Sequence, residues 1–342
     1  MSTRDEARAA HAPGEPAEPG DGARPAAAPQ CARTVLMLRP ATFYANPETL
    51  ASNAFQHVVA APPADTLAAA QAEFDGAATA LAAAGVEVVV AEAEAAADTP
   101  DALYPNNWFS THVDGRVLLY PREVPSRRRE RRPQLLRELA ARHGWHIERF
   151  VDLTGLESEG LIVEGTGSLV IDHAAKLAYA SLSSRTHVAA VAAACRELGL
   201  EAVTFHAYDP QGREVYHTNV LMSVGPSLNV LASVLVQPGG DLARVFDALE
   251  RTNKQLLDLT AEQVVEFAGN VLFLDGGAAG PLCALSRRAW RALTRPQRRL
   301  LERHAEPVPC AVDTIEHVGG GGIRCMLAEV FLPPQAAERG GR

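Results

Sequence analysis

The chain has 342 residues and a formal net charge of −9 at pH 7, which argues against nucleic acid or an anionic membrane surface as its main partner. A hydrophobic fraction of 47% and a mean hydropathy of −0.05 are typical of a soluble globular protein with a sizeable core. The five cysteines are odd in number and show no CxxC spacing, which argues against a disulfide framework and a zinc ribbon.

The N-terminal segment, residues 1–32, consists mainly of Ala, Pro, Gly and Glu, and it carries too little apolar surface to offset the entropy of ordering it. We therefore predict a disordered tail over residues 1–32, one folded domain over 33–335 and a short flexible tail over 336–342. The N-terminus has no apolar signal-peptide region, and we expect a cytoplasmic protein.

Helix and strand signals alternate after an initial apolar strand at residues 34–38. Helices are predicted from a cap at Asp65 to Gly85, from Pro133 to Gly144, after Thr186 and up to Gly199, after residues 239–241, and after a cap at Ser286. Strands are predicted at 86–90, up to residue 147 and at 202–205, and residues 220–236 predict two buried strands around a turn.

The order strand, helix, strand thus recurs about five times, at intervals of roughly 50–70 residues. No side-chain identity between the modules is apparent, so the sequence predicts a repeat of architecture alone. A doubly wound α/β sheet would give a similar order, but no strand is followed by GxGxxG or GxxxxGK, so no nucleotide cofactor is expected.

Polar loops beside the apolar strands carry residues suited to thiol chemistry. A glycine run, residues 319–322, precedes Cys325, and two other loops carry His217 and Glu164. These residues could serve as nucleophile, proton carrier and orienting carboxylate. The alternatives are a catalytically silent binding protein with an inert Cys325, and a zinc site at Cys310, His317 and Cys325, for which no fourth ligand is evident.

Seven ordered motifs give these loops a family likeness. They are Arg39-Pro40 with residues 46–49, residues 105–112, 164–169, 184–187, 217–219 and 267–270, and residues 319–329. Over residues 35–333 the chain resembles the guanidino-group-modifying (pentein) superfamily, and within it most nearly the citrulline-utilisation hydrolases (CtlX). The resemblance implies an α/β fold, a five-module pseudosymmetric ββαβ propeller.

The resemblance also implies roles for the loop residues. Cys325 would attack the central carbon of a guanidino or ureido group, His217 would protonate the leaving amine and then activate water, and Glu164 would bind substrate N–H groups or hold His217. It implies an amino-acid substrate and no metal or cofactor. Because the family often dimerises, we expect a homodimer.

Two departures from the arginine-processing members concern the substrate. Those members resemble one another in carrying aspartates where this chain has Asn107 and Asn219. A guanidinium supplies only hydrogen-bond donors, whereas a neutral ureido group also has a carbonyl acceptor, which suits a carboxamide. We therefore expect citrulline as substrate, with arginine deiminase or amidinotransferase activity as the alternative. The two asparagines would otherwise be structural loop residues.

An amino-acid substrate needs a cation to hold its α-carboxylate. Arg185 and Arg324 are the candidates, although Arg324 would face away from Cys325 if the two residues lie in a strand. The arginine cluster at residues 127–132 is interpreted as a solvated surface, from which one arginine could still reach the pocket. The thiolate of Cys325 would be stabilised by an ion pair with His217 or by backbone amides of the glycine run.

Overall fold

The computed structural model describes residues 29–335. Residues 1–28 and 336–342, for which the sequence predicts tails, lie outside the described residues. Residues 29–32 contact the folded domain: Gln30 donates hydrogen bonds to the carbonyl oxygens of Ile171 and Val224, at 3.0 and 3.2 Å, and Ala32 is buried. Within residues 29–335, no helix combines the length and the apolar composition needed to cross a membrane.

Short strands form five separate sheets in the described part of the chain. In chain order the strands are β1 (Thr34–Arg39), β2 (Glu87–Glu92), β3 (Phe109–Thr111), β4 (Arg116–Leu119), β5 (Arg149–Asp152), β6 (Val170–Asp172), β7 (Leu177–Ser181), β8 (Glu201–Phe205), β9 (Met222–Val224), β10 (Leu228–Leu231), β11 (Gln255–Asp258), β12 (Leu272–Asp275), β13 (Pro281–Ser286), β14 (Glu306–Cys310) and β15 (Ala328–Val330).

Every sheet has the same three-stranded topology. The strand orders are β15-β1-β2, β3-β4-β5, β6-β7-β8, β9-β10-β11 and β12-β13-β14. In each order the first strand pairs antiparallel with the middle one, and the third pairs parallel with it. The five-module ββαβ architecture is therefore confirmed, and the alternative of one doubly wound sheet is wrong.

Helices supply the crossovers that the parallel pairs need. The α-helices in residues 29–335 are α1 (Pro63–Ala83), α2 (Pro125–Arg128), α3 (Pro133–His143), α4 (Gly165–Ser168), α5 (Val188–Leu198), α6 (Gly240–Arg251), α7 (Ala261–Val265), α8 (Arg287–Ala292), α9 (Arg295–Glu302) and α10 (Ile323–Met326). The crossovers are α1, α3, α5, α6 and the pair α8 and α9, because each lies between the middle and the third strand of its module.

Local signals placed most helix ends correctly. Gly144 and Gly199 adopt left-handed conformations, with φ of 67° at both, directly after α3 and α5. Ser286 caps α8 by accepting a hydrogen bond from the backbone N–H of Ala289. Asp65 is not a cap, because α1 already begins at Pro63, a position that suits proline in the first turn.

The strand predicted up to residue 147 lies later in the chain, as β5. The predicted residues instead pair with the C-terminal segment: the N–H of His146 donates to the carbonyl oxygen of Pro333 at 2.7 Å, and Trp145 forms a bridge with Pro334. A contact between residues this far apart in the chain therefore overrides the local strand signal. The two strands predicted within residues 220–236 are confirmed as β9 and β10.

The first strands of the five modules, β15, β3, β6, β9 and β12, line one central channel. A short turn precedes each of these strands. The turn before β3 contacts the turns before β6 and β15, and the turn before β6 contacts the turn before β9. Because the last strand, β15, pairs with β1, the C-terminal end of the chain is brought into the first module. The fold thereby gathers five loops that are far apart in sequence.

Candidate active site

The candidate site residues occupy equivalent positions in the five modules. Asn107, Gly167, Asn219, Asn270 and Cys325 each lie two or three residues before the first strand of a module. The turns at 219–221 and 270–272 share the tripeptide Asn-Val-Leu. The expectation that the modules share no side-chain identity is therefore wrong, and the two shared asparagines are the residues whose amides contact the cysteine.

Cys325 lies in α10 with a side chain held by two asparagine amides. It is 4% exposed, and its sulfur accepts hydrogen bonds from Asn270 Nδ2 at 3.3 Å and Asn219 Nδ2 at 3.8 Å. Asn270 Nδ2 also donates to the backbone carbonyl of Asn219 at 2.9 Å, which fixes the orientation of this amide. Burial raises the pKa of the Cys325 thiol, and the hydrogen bond from Asn270 opposes that rise.

His217 and Glu164 form a buried hydrogen-bonded pair, with His217 Nε2 2.8 Å from Glu164 Oε2. Burial lowers the pKa of His217 to about 4, although the hydrogen bond to Glu164 opposes the shift. The imidazole is therefore neutral near pH 7. Since a carboxylate only accepts hydrogen bonds, Nε2 carries the proton and Nδ1 presents a lone pair. A ground-state ion pair with the thiol is disfavoured on both sides.

Glu164 stays ionised because cations surround it. Burial by itself would raise its pKa, but the charge of Arg122, the hydrogen bond from the neutral His217 and the charge of Arg185 hold the pKa well below its usual range. Glu164 Oε1 accepts from Arg122 Nε at 3.2 Å and from the backbone N–H of Glu123 at 3.1 Å. With one oxygen fixed in this way, the other is directed at the imidazole and sets its tautomer.

A glycine lies under the imidazole ring. A β-carbon built on Gly167 would lie 2.4 Å from Asn107 Nδ2, 2.8 Å from His217 Nδ1 and 2.9 Å from His217 Cε1. These distances leave no room for any larger residue at position 167. Gly167 therefore allows the histidine and the asparagine amide to approach the same point.

The pocket over Cys325 brings together residues from several modules. Cys325, His217, Asn107 and Arg185 line it, together with Gly319, Gly320 and Gly321 of the glycine run and Arg127 of the arginine cluster. Sequence analysis did not assign the other lining residues, which are Thr49, Asn53, Gln56, Asp101, Tyr104 and Tyr216. The glycine run serves close packing here, because the hydroxyl groups of Tyr216 and Tyr104 donate to the carbonyl oxygens of Gly320 and Gly321 at 2.8 and 3.2 Å.

One arginine of the basic cluster is buried in this pocket. Arg127 is 4% exposed, and its Nη2 donates to Asn107 Oδ1 at 3.2 Å. Its Nε bonds to Glu130 Oε1 at 3.0 Å and lies 3.6 Å from Asp101 Oδ2. The interpretation of this cluster as a solvated surface is therefore wrong for Arg127, and the alternative that one of its arginines reaches the pocket is confirmed. Its burial depends on partners 26 residues upstream as well as three downstream, which composition alone does not reveal.

The contact with Arg127 fixes the amide of Asn107. A guanidinium has no acceptor, so the atom facing it must be the amide oxygen. Asn107 Nδ2 then has no hydrogen-bond partner among the described residues, although it is buried. The same holds within residues 29–335 for Asn219 Oδ1 and Asp101 Oδ1. The site thus holds one unused donor and two unused acceptors around the thiol pocket.

The two arginines proposed for substrate binding lie in different places. Arg185 lines the thiol pocket, where it donates to Ser52 Oγ at 2.6 Å and to Glu123 Oε2 at 3.1 Å. Arg324 lines the central channel instead and bonds to Glu329 Oε2 at 3.4 Å. Arg324 thus points away from the pocket that its neighbour Cys325 faces.

Within residues 29–335, no three His, Cys, Asp or Glu side chains are grouped closely enough to hold a metal ion. The zinc alternative through Cys310, His317 and Cys325 therefore has no geometric basis. Cys310 instead donates its S–H to the carbonyl oxygen of Val308 at 3.6 Å.

Comparison with known proteins agrees with this geometry. Residues 39–332 match the family model described as N,N dimethylarginine dimethylhydrolase, eukaryotic. No curated protein matches the sequence. Among solved structures, the N-terminal domain of ArgZ, an arginine dihydrolase from Cyanobacteria, superposes with a TM-score of 0.65 at 14% identity, covering 87% of this chain and 99% of that one.

Two further structures show the same fold. Unliganded AgrE gives a TM-score of 0.67 at 14% identity and covers 89% of this chain but only 40% of its own length. A dimethylarginine hydrolase (DDAH) from Pseudomonas aeruginosa, in complex with citrulline, gives 0.60 at 12% identity and covers 87% of this chain and 99% of that one. The chain therefore belongs to the N,N dimethylarginine dimethylhydrolase family of the guanidino-group-modifying pentein superfamily.

Proposed function

We propose that the protein is a cysteine-dependent hydrolase that cleaves citrulline to ornithine, ammonia and carbon dioxide through a covalent intermediate on Cys325. The observation that carries the choice of substrate is the amide of Asn107. Arg127 donates a hydrogen bond to Asn107 Oδ1, and Asn107 Nδ2 is left as a donor without a partner among the described residues.

An unpartnered donor favours a substrate with an acceptor at the reacting end. The carbonyl oxygen of a ureido group accepts from Asn107 Nδ2, while its N–H groups are donors for the free Oδ1 of Asn219. A guanidinium offers only donors and would leave Asn107 Nδ2 buried without a partner, at a cost of about 1–3 kcal/mol. This difference favours the ureido substrate.

The proposed reaction uses the neutral thiol and imidazole as they stand. As the sulfur of Cys325 attacks the ureido carbon, His217 Nδ1 takes the thiol proton and passes it to the leaving amine, so the C–N bond breaks and ornithine departs. The resulting thiocarbamate reacts with water, activated by His217, to give carbamate and restore the thiol. Carbamate then decomposes to ammonia and carbon dioxide.

Asn270 and Asn219 would stabilise the developing thiolate through their N–H groups, since hydrogen bonds to a charged acceptor are the stronger kind. Glu164 would stabilise the imidazolium that forms transiently. Arg185 is the proposed partner of the substrate α-carboxylate, because its guanidinium lines the pocket and its partner Glu123 is partly exposed to solvent.

The fold neighbours support the substrate class. The Pseudomonas enzyme of the same fold is seen with citrulline in complex, and ArgZ acts on arginine. Both ligands are amino acids with a planar C–N group at the end of the side chain. The ligands of both neighbours therefore support an amino-acid substrate of this class for this chain.

A guanidino substrate is the second candidate, and one observation favours it. Asp101 lines the pocket with a carboxylate oxygen that has no hydrogen-bond partner among the described residues. A cationic substrate would supply the missing donors. Arg127 opposes this alternative, because its own charge already lies 3.6 Å from the other oxygen of Asp101.

The test is turnover of L-citrulline, L-arginine and N,N-dimethyl-L-arginine by the purified protein, with Cys325→Ala as control. Ornithine and ammonia from citrulline, absent with the variant, would support the proposal. Citrulline formed from arginine, or dimethylamine released from dimethylarginine, would overturn the ureido assignment and favour the second candidate.

A further inference from the structure

Glu316 is a buried carboxyl group that the proposed reaction does not use. It is 1% exposed and lies in the π-helix Ile315–Gly319, whose last residue is the first glycine of the run that leads to Cys325. Neither of its side-chain oxygens lies within hydrogen-bond geometry of a partner in residues 29–335, although the Ser286 hydroxyl is close enough to lower the pKa of the carboxyl group. Single π-turns occur often at functional sites, and an unpartnered buried carboxyl requires a reason to be retained.

Glu316 lies behind the amide that holds the thiol. A β-carbon built on Gly322 would lie 2.8 Å from Asn270 Oδ1 and 3.2 Å from Glu316 Oε1. The two oxygens therefore flank the same glycine. The Nδ2 end of the Asn270 amide donates to Cys325 Sγ at 3.3 Å, and Asn270 Oδ1 accepts from the same thiol at 3.7 Å. Glu316, Asn270 and the thiol thus follow one another through the core.

The charged groups around Glu316 would not balance the negative charge of its ionised carboxylate. Arg288, on α8, is already paired with Glu266, from the turn before Asn270. Asp313, on the segment of Glu316 itself, adds a further negative charge. Burial raises the pKa of Glu316 to about 8, and the opposing effects of Ser286 and Arg288 do not offset it. The carboxyl is therefore protonated near pH 7.

We propose that Glu316 is a positioning residue for the nucleophile, a neutral carboxyl whose ionisation places a negative charge behind Asn270 and suppresses formation of the Cys325 thiolate. The proposal rests on the proposed role of Cys325 as nucleophile. A negative charge behind the amide oxygen opposes a second negative charge on the sulfur that the same amide holds.

Glu316 is therefore expected to limit the reactivity of the Cys325 thiol at alkaline pH. In the wild-type protein the alkylation rate of Cys325 should rise less steeply with pH than it would beside a neutral residue 316, because Glu316 loses its proton around pH 8. Glu316→Gln keeps the shape and the neutral charge of the protonated side chain, so it should match wild type at pH 7. By pH 9 about nine-tenths of the wild-type carboxyl is ionised, and the variant should then be about tenfold more reactive than wild type.

The experiment measures the rate of Cys325 alkylation by iodoacetamide between pH 6.5 and 9.5, followed by mass spectrometry of the peptide. Wild type, Glu316→Gln and the exposed-carboxylate control Glu306→Gln are compared. A ratio of variant to wild type that rises about tenfold between pH 7 and pH 9, with no change for Glu306→Gln, supports the proposal. A constant ratio overturns it.

A second variant keeps the test decisive if Glu316→Gln does not fold. Asp313→Asn removes a charge that raises the pKa of Glu316, so Glu316 should lose its proton at a lower pH in this variant. The suppression of Cys325 alkylation should therefore begin at a lower pH than in wild type. An unchanged profile would count against the proposal. Because alkylation needs no substrate, this result stays separate from the outcome of the citrulline assay.

Discussion

Replacing Gly167 by Ala should disable the site without removing the fold. The added β-carbon would lie 2.4 Å from Asn107 Nδ2 and 2.8 Å from His217 Nδ1, where ordinary contacts begin near 3.4 Å. The amide must therefore retreat by about 1 Å and the imidazole by about 0.6 Å. The hydrogen bond from His217 to Glu164, now 2.8 Å long, would lengthen by up to about 0.6 Å and weaken.

The magnitude follows from how steeply catalysis depends on position. A displacement of about 1 Å in a catalytic group costs about 10²-fold in rate, so kcat/KM of Gly167→Ala should fall by about two orders of magnitude. The crowding should also lower the free energy of unfolding by about 1–3 kcal/mol. The loss should appear in both kcat and KM, because the proposed proton carrier His217 and the proposed substrate-binding amide of Asn107 are both displaced.

The assay combines steady-state kinetics, on citrulline or whichever amino acid is turned over, with denaturant unfolding. Gly76→Ala is the matched control: a β-carbon there meets nothing within 4 Å in the interior of α1. This control should keep full activity and gain about 0.5–1 kcal/mol of stability. A Gly167→Ala protein with kcat/KM within threefold of wild type would refute the reasoning.

Three further variants test the site. Asn270→Ala removes the donor closest to the Cys325 sulfur and should slow alkylation of Cys325 by iodoacetamide at pH 7.5 about tenfold. The control Asn229→Ala, which changes a buried asparagine in β10, should leave the rate unchanged. Equal alkylation rates for Asn270→Ala and wild type would contradict the role of the Asn270 amide. Asn107→Asp replaces the free donor by an acceptor and should lower the ratio of citrulline to arginine turnover about 10²-fold; an unchanged ratio would remove the basis for the ureido assignment. The folded-state pKa of His217, about 4, lies below its unfolded value of about 6.5, so the free energy of unfolding should fall by about 3 kcal/mol as the pH drops from 6.5 to 4. His217→Gln should reduce the slope of the unfolding free energy against pH by one proton over this range. Identical slopes for the two proteins in denaturant titrations would contradict a buried neutral imidazole.

Resemblance and local pattern predicted the modular plan because each of its signals is short in range. Helix ends marked by Gly144, Gly199 and Ser286 depend on backbone conformation and on contacts within a few residues. The strand around residue 147 failed for the complementary reason, since its backbone groups pair with Pro333 and Pro334. A local pattern carries no information about such a partner.

Sequence by itself determined the module order, and the loop residues Cys325, His217, Glu164 and Asn107 followed from their likeness to known motifs. Tertiary structure alone decided which side chains surround the thiol. It buried Arg127 and turned Arg324 to the channel. The reason is physical: the direction of a side chain, the orientation of an amide and the protonation of a buried carboxyl depend on partners that only the folded chain brings into contact.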